Sequence, residues 1–331
     1  MEPPVQGRLC LQEQQLVSSP FSATINGPMK SGISKIPRQF ILRAGKLLGL
    51  IFYSLAIPHR RLVRRNLQFC YPQWSSKEIR DLSRHVFMNF GINLVEIFQS
   101  AFMSPEEVFG MCRVEGEDDF INLIKGNQGI VIASAHMGNW EVGLHFTNYY
   151  KKPMLGVAAK TRYGWADILL GTSRNRLGNL IIDKKGALPK MTEALRNGEV
   201  VGMLIDQSRR KHGVEVTFFG HKATASPAAA LLALRCKSLV LPAFSVRGPD
   251  GELTIQVKEP LEMTRTGDLR SDIQSNTQRM IDVVEEMVRK YPDQWFWLLK
   301  PWKVHYPELY SDWEARRRKR KAKKKQKAPG K

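Results

Sequence analysis

The residues best suited to do chemistry stand together in one short run, Ser134-Ala135-His136-Met137-Gly138-Asn139-Trp140-Glu141. An apolar segment, Gly129–Ser134, leads into it and reads as a short buried strand. Such a strand delivers His136 to its C-terminal edge, where open α/β sheets place their ligands. Gly138 and Asn139 permit a tight turn, and Glu141 falls in the first turn of a helix expected over Trp140–Tyr150. A carboxylate there can fold back onto the imidazole, fix its tautomer and raise its basicity. The other ring nitrogen is then left to take a proton. The same spacing also suits a histidine satisfied by local backbone beside a solvated Glu141.

Asp206-Gln207 closes a second apolar run, Val200–Asp206, and so occupies the same kind of strand-end position as His136. The two could line one crevice, although a strand-end aspartate also serves as a cap or turn residue. Arg174 and Arg176 end a helix expected near Trp165–Leu177, where they could complement the helix C-terminus or bind an anion. Gly213–Gly220 reads as a short strand with the apolar pair Phe218-Phe219, followed by Thr224 before an Ala-rich helix. Trp295–Lys303 concentrates three tryptophans and two lysines, fitting either core packing or an amphipathic interface. The chain has no G-x-G, no G-x-x-x-x-G-K-[ST], no G-x-S-x-G and no H-E-x-x-H. Nicotinamide enzymes, P-loop NTPases, elbow-type serine hydrolases and zincins thereby lose their main support. Cys10, Cys70, Cys112 and Cys236 are far apart, with neither a disulfide framework nor a zinc-ribbon spacing.

The elements that must position these residues alternate from residue 129 onward. Strands are expected at Gly129–Ser134, Met154–Ala159, Leu180–Ile182, Val200–Asp206, Leu239–Val246 and Leu253–Lys258. Helices are expected at Ala187–Arg196, Pro227–Arg235 and Asp268–Arg289. This alternation, with apolar strands, predicts an α/β fold: a mixed, mostly parallel central sheet with helices on both faces. Upstream, Ser76–Phe102 reads as an amphipathic helix, with Ile79, Leu82, Val86, Phe90, Leu94 and Ile97 at helical spacing. The expected organisation is a mobile segment over 1–35, a helical membrane-associating region over 36–110, the α/β core over 111–310 and a basic disordered tail over 311–331.

Charge is divided as sharply as structure. The 331 residues carry a formal net charge of +20, yet Glu78–Ala315 holds 29 basic and 29 acidic residues. Gln14–Lys77 has ten Lys/Arg and no acid, and Arg316–Lys331 has eleven and no acid. A neutral body flanked by cationic ends points to an anionic surface met at the termini. The run Leu47–Ile57 is apolar over eleven residues, too short for the roughly 20 a bilayer span needs. With arginines on both sides it suits the membrane interface, and no spanning helix is expected. The competing class is a non-enzymatic nucleic-acid- or anionic-surface-binding protein using its basic termini. The neutral body and the lack of a recognition motif count against nucleic acid.

In order along the chain, these motifs resemble the bacterial lipid A biosynthesis acyltransferases (lauroyl and myristoyl transferases), within the lysophospholipid and glycerolipid acyltransferase superfamily. The resemblance spans roughly residues 40–305. His136-Met137-Gly138-Asn139-Trp140-Glu141 is similar to the H-[FM]-G-N-W-E form of the superfamily H-x₄-[DE] motif. Asn66-Leu67 with Tyr71-Pro72, Arg174-x-Arg176, Asp183-Lys184-Lys185, Asp206-Gln207, Phe218-Phe219-Gly220 with Thr224, Leu241-Pro242 and Trp297-Leu298 follow in family order. The resemblance implies a membrane-associated O-acyltransferase on the cytoplasmic face of the bacterial inner membrane. Its donor would be acyl carrier protein or acyl-CoA, and its acceptor a hydroxyl of lipid A precursor or a related glycolipid. It implies His136 as general base and Glu141 as its partner, with Arg174, Arg176, Asp206 and Gln207 binding substrate or supporting the site. An acyl thioester is already activated, so neither cofactor nor metal is called for. This chain departs from the family in having Ser208 where a second Asp is common. It also has Leu299-Lys300-Pro301 where the family ending is often His-Arg-Arg.

Overall fold

The computed structural model describes residues 32–143, 145–158, 178–183, 186–209, 211–313 and 315. The helix expected near Trp165–Leu177, with Arg174 and Arg176, lies outside the described residues, as do 1–31 and the basic run after Ala315.

Three helices precede the sheet: α1 (Arg38–Leu55), α2 (Ile57–Cys70) and α3 (Ser76–Ser100). Helix α3 begins at a reciprocal cap in which Ser75 and Glu78 bond each other's backbone. Helices α1 and α2 meet at a bend of 95°, around Ala56 and Pro58. Helix α1 lies on α3 through glycines: a Cβ at Gly49 would overlap the Phe87 carbonyl, and one at Gly91 the backbone of Gly45. Two helix backbones approach this closely only where side chains are absent.

The sheet then assembles from β1 (Cys112–Glu115), β2 (Ile130–Ser134), β3 (Met154–Ala158), β4 (Leu180–Asp183), β5 (Val200–Leu204), β8 (Leu239–Arg247) and β9 (Leu253–Val257). Its order is β1-β9-β8-β2-β5-β3-β4. The five strands from β8 to β4 are parallel, whereas β9 runs antiparallel to β8 and carries β1 parallel to itself. The mixed, mostly parallel α/β fold is therefore as the alternation implied. Strand β2 divides the interior by the period-2 rule. Val131, Ala133 and Ala135 face one core, and Ile130 and Ile132 the other. Helices α2, α3, α8 (Ala187–Arg196), α9 (Ala228–Cys236) and α10 (Leu269–Lys290) cover the first core. Phe120 and Ile124 of α5 (Glu117–Lys125), which follows α4 (Pro105–Phe109), close the second with Phe146.

Three local features differ from the sequence expectation. The helix expected over Trp140–Tyr150 breaks into α6 (Trp140–Gly143) and α7 (Phe146–Tyr149), because His145 is buried between them with its Nδ1 2.9 Å from Asn179 Nδ2. Strand β1 was not foreseen; its four residues alternate in exposure and are too few for a period to register. Beyond the sheet, β6 (Val214–Phe218) and β7 (His221–Ala225) form a hairpin whose two turn residues, Phe219 and Gly220, both have positive φ. That is the backbone a tight two-residue hairpin requires.

Candidate active site

Strands β2 and β5 lie side by side in parallel, with Ser134 opposite Leu204. Two residues further along each chain stand His136 and Asp206, so the register alone brings them together. His136 Nδ1 is 2.7 Å from Asp206 Oδ1, and the His136 backbone N–H donates to Asp206 Oδ2 at 2.8 Å. Trp295 Nε1–H donates to the same Oδ2 at 2.9 Å. Asp206 is 4% exposed, and both its oxygens are occupied by these donors. It is therefore held as an ionised acceptor turned toward the histidine, not outward to a ligand.

With Nδ1–H given to Asp206, the lone pair of the neutral ring sits on Nε2. Gln207 follows Asp206 out of the strand and brings its Nε2 to 3.1 Å from His136 Nε2. Trp140 meets the ring edge to face at 5.2 Å between centroids, and Phe296 lies roughly parallel to it at 6.3 Å. These aromatic walls leave only a small part of the imidazole accessible, and Gln207 stands at that opening as an exposed side chain.

Burial alone would disfavour the imidazolium. The Asp206 charge, the Asp206 hydrogen bond and then the Glu141 charge outweigh it, so the His136 pKa is raised above its usual 6.5. Burial would likewise raise the Asp206 pKa, but the charge and hydrogen bond of His136, with those of the backbone and Trp295, hold it below the usual 3.8.

Glu141 therefore differs from its expected place. The expectation was that its carboxylate would bond the imidazole, but the ring nitrogens face Asp206 and Gln207, and Glu141 acts on His136 through charge. Its Oε1 accepts from Trp140 Nε1 at 3.1 Å, the indole that walls the ring. The reason is topological: α6 turns away over β8, as the fit of Gly143 against Ser245 and Ile255 shows. The neighbouring strand supplies the closer carboxylate. Asp206, expected to bind substrate or to support the site, stands against the histidine. Arg174 and Arg176 lie outside the described residues.

The remaining motifs hold this arrangement in place. Asn66 Nδ2 donates to the carbonyls of Trp297 and Leu299, at 2.8 and 2.9 Å, pinning the segment that carries Trp295. Trp295, Trp297 and Trp302 are all buried, so this segment is core and not an interfacial surface. Ser208 Oγ and Thr224 Oγ1 are 2.7 Å apart, tying the chain after Asp206 to the hairpin. Among the described residues no three His, Cys, Asp or Glu side chains gather as a metal-ligand set. Sequence reasoning missed Asn93 and Glu96 on α3, which bond the backbone of Gly138 and the side chain of Asn139. The available signal was the polar row Asn89, Asn93 and Glu96, spaced four and then three residues apart on an otherwise amphipathic helix.

A histidine held by a buried carboxylate at the strand ends of an α/β sheet, with Nε2 turned to the opening, has the geometry of a proton acceptor. Comparison with known proteins makes the assignment specific: residues 28–304 match the profile of the bacterial lipid A biosynthesis acyltransferases, and the chain belongs to that family. A lipid A biosynthesis acyltransferase of Haemophilus influenzae is 27% identical over 290 residues, covering 83% of this chain and 89% of the relative. The lipid A biosynthesis lauroyltransferase of Escherichia coli is 25% identical, covering 82% and 88%. The myristoyltransferase of the same organism is 23% identical, covering 84% and 85%.

Proposed function

We propose that this chain transfers a fatty acyl group from an acyl thioester to a hydroxyl of a lipid A precursor or a related glycolipid. The observation that carries the mechanism is the Asp206 contact to Nδ1, which leaves Nε2 as the basic nitrogen of His136. The acceptor hydroxyl displaces the Gln207 amide and gives its proton to Nε2 as its oxygen attacks the thioester carbonyl carbon. Asp206 and Glu141 stabilise the imidazolium that forms. When the tetrahedral intermediate collapses, the C–S bond breaks and the imidazolium returns the proton to the leaving thiolate. Atoms and charge balance, leaving ester and free thiol. Arg174 and Arg176 are assigned to anionic parts of the substrates, where a planar guanidinium grips phosphate by paired bonds.

The site works at the cytoplasmic face of the bacterial inner membrane, with α1 as the membrane-facing element. Ile41, Gly45, Gly49 and Tyr53 of α1 pack inward, while Phe40, Leu47, Ile51 and Leu55 point outward. Leu47 is 60% and Leu55 76% exposed. No single described helix is long and apolar enough to cross a membrane, although the bent pair α1–α2 reaches that length and apolar content together. An outward apolar face with basic neighbours suits an interfacial helix. The donor is acyl carrier protein or acyl-CoA; carriers of the first kind are acidic, and cationic ends would speed their encounter.

The test is direct. Purified chain in mixed micelles receives acyl carrier protein or CoA thioesters and a lipid A precursor, and products are read by mass spectrometry. Gain of one acyl mass by the acceptor, lost in His136→Ala, is expected. No transfer with any combination would overturn the proposal.

A further inference from the structure

The loop that carries the base is gripped from behind by a buried ionic cluster. Glu96 of α3 has no exposed surface, and its Oε2 accepts from Asn139 Nδ2 at 2.7 Å. One turn earlier on the same face, Asn93 Nδ2 donates to the Gly138 carbonyl at 2.5 Å. Arg247, at the end of β8, holds both acceptors at once. Its Nη1 and Nη2 reach the two Glu96 oxygens at 2.5 and 2.7 Å, and Nη2 also reaches Asn93 Oδ1 at 3.0 Å. From the other side, Arg38 of α1 pairs with Glu96 Oε1 at 2.6 Å. Asn139 passes the constraint on, since its Oδ1 accepts from the Val142 N–H at 3.3 Å within the helix that carries Glu141.

Packing does not call for this. A buried ion pair is often no more stabilising than apolar side chains of equal volume, because desolvation offsets the attraction. Gly138 explains the need. It has φ +51°, its N–H donates to the Gln294 carbonyl at 3.0 Å, and a Cβ there would collide with the Ser245 carbonyl. Glycine is the residue that adopts this backbone most freely, so the turn needs outside constraints to hold one shape.

We propose that Asn93, Glu96 and Arg247 are positioning residues for acyl transfer. They fix the 137–139 turn so that His136 stays against Asp206 and Glu141 stays within range of the ring, and they touch neither substrate. The inference rests on the reading of His136 as the base. Its signature is a fall in kcat at unchanged KM, because the residues shape the reacting group and not the binding surface.

The experiment exchanges the partners of one hydrogen bond. Asn139→Asp sets a carboxylate against Glu96 and should lower kcat about 10²-fold, the scale expected when a reacting group is displaced by about 1 Å. Glu96→Gln keeps the shape but turns one carboxylate oxygen, which accepts from Arg247 and from either Asn139 or Arg38, into a donor, and should lower kcat at least about tenfold. The double variant, Glu96→Gln with Asn139→Asp, puts the amide on α3 and the carboxylate on the turn. The hydrogen bond then re-forms in the reverse direction, and the charge balance beside Arg247 is restored. It should recover to within about tenfold of wild type, a coupling that independent structural damage would not give. Thermal midpoints of all three variants are measured alongside. If Asn139→Asp does not fold, Asn93→Ala removes the bonds to the Gly138 carbonyl and to Arg247 Nη2 and should lower kcat several-fold at constant KM. Folded variants with wild-type kcat, losses that multiply in the double variant, or effects confined to KM would overturn the inference. A wild-type chain that transfers no acyl group would instead overturn the functional reading beneath it.

Discussion

The turn at His136 and the outer face of α1 break the usual sorting of side chains in opposite directions. Around the turn, Asp206, Glu96, Asn93 and Asn139 are buried polar groups, each held by hydrogen bonds. On α1, Phe40, Leu47, Ile51 and Leu55 are apolar groups left outside. Folding alone favours neither, since buried polar groups must be fully partnered and contiguous exposed apolar surface favours association. On the proposed function, the first departure serves chemistry and demands exact partners, and the second serves membrane attachment and demands only area. The two regions should therefore respond differently to substitution: sharply and atom by atom at the turn, gradually and additively on α1.

The largest effect should come from the ring itself. His136→Ala should lower kcat by about 10²–10⁴-fold, the usual worth of a positioned base, in a chain that still folds but with a lowered thermal midpoint, because buried Asp206 loses its partner. Asp206→Asn should come next, with a diagnostic pH profile. His136 must be neutral to accept a proton, and its pKa lies above 6.5, so wild-type kcat/KM should fall as pH drops through that raised value. Removing the Asp206 charge takes away the largest raising influence, so the acid limb should move to lower pH while the plateau falls. Glu141→Gln should also lower kcat, by about 10–10²-fold, but should move the acid limb less, because Glu141 acts on the ring by charge without a bond. An equal or larger shift in Glu141→Gln would show that Glu141, and not Asp206, is the principal carboxylate.

The pair's contribution to stability has a different dependence. The raised His136 pKa adds stability that is complete below 6.5 and is lost as pH rises through the folded value. The lowered Asp206 pKa adds stability that is present above 3.8 and is lost as pH falls through the folded value. The pair thus stabilises most between these limits, on the acid side of where turnover should be best. Thermal melts of wild type and Asp206→Asn should differ most inside that window and converge as pH rises above 6.5 through the raised His136 value; a gap that persists there unchanged would break the linkage.

Much of this was legible in the residues, and the rest was hidden for identifiable reasons. Apolar runs ending in His136 and Asp206 mark two strand ends, and the parallel sheet follows from strand–helix alternation. What the chain cannot display is that β5 is β2's neighbour, with Ser134 opposite Leu204. Without that register, the nearer carboxylate in sequence, Glu141, looks like the natural partner. Glu96 and Arg247 were hidden for the same reason, lying 151 residues apart. The three tryptophans are ambiguous in sequence because large amphipathic rings suit core and interface alike. Asn66, reaching the Trp297 and Leu299 carbonyls, settles them as core.

On α1 the expected effects are smaller and cumulative. Each outward leucine buried in lipid is worth roughly 1.5–3 kcal/mol, so Leu47→Glu and Leu55→Glu should each weaken vesicle binding by about tenfold or more. Transfer to a micellar substrate at saturating concentration should change little, which separates attachment from chemistry. A matching loss of kcat in micelles would break the comparison, making α1 part of the catalytic machinery.

The smallest effect should come from the eleven positive charges of Arg316–Lys331. Exposed charges act through a field that salt screens within about 10 Å at 0.1 M and about 3 Å at 1 M. Apolar insertion by α1 has no such sensitivity. Deleting 316–331 should therefore weaken binding to anionic vesicles at low salt, leave binding to neutral vesicles unchanged, and merge with the full chain near 1 M. Leu55→Glu should show the reverse, a deficit that persists at every ionic strength and on both vesicle types. Combining the two should give losses that add at low salt and reduce to the leucine effect alone at high salt. A truncation that matches the full chain at all ionic strengths would remove the tail from membrane attachment. A Leu55→Glu deficit that vanishes in salt would show that the outward face of α1 binds by its flanking arginines and not by its leucines.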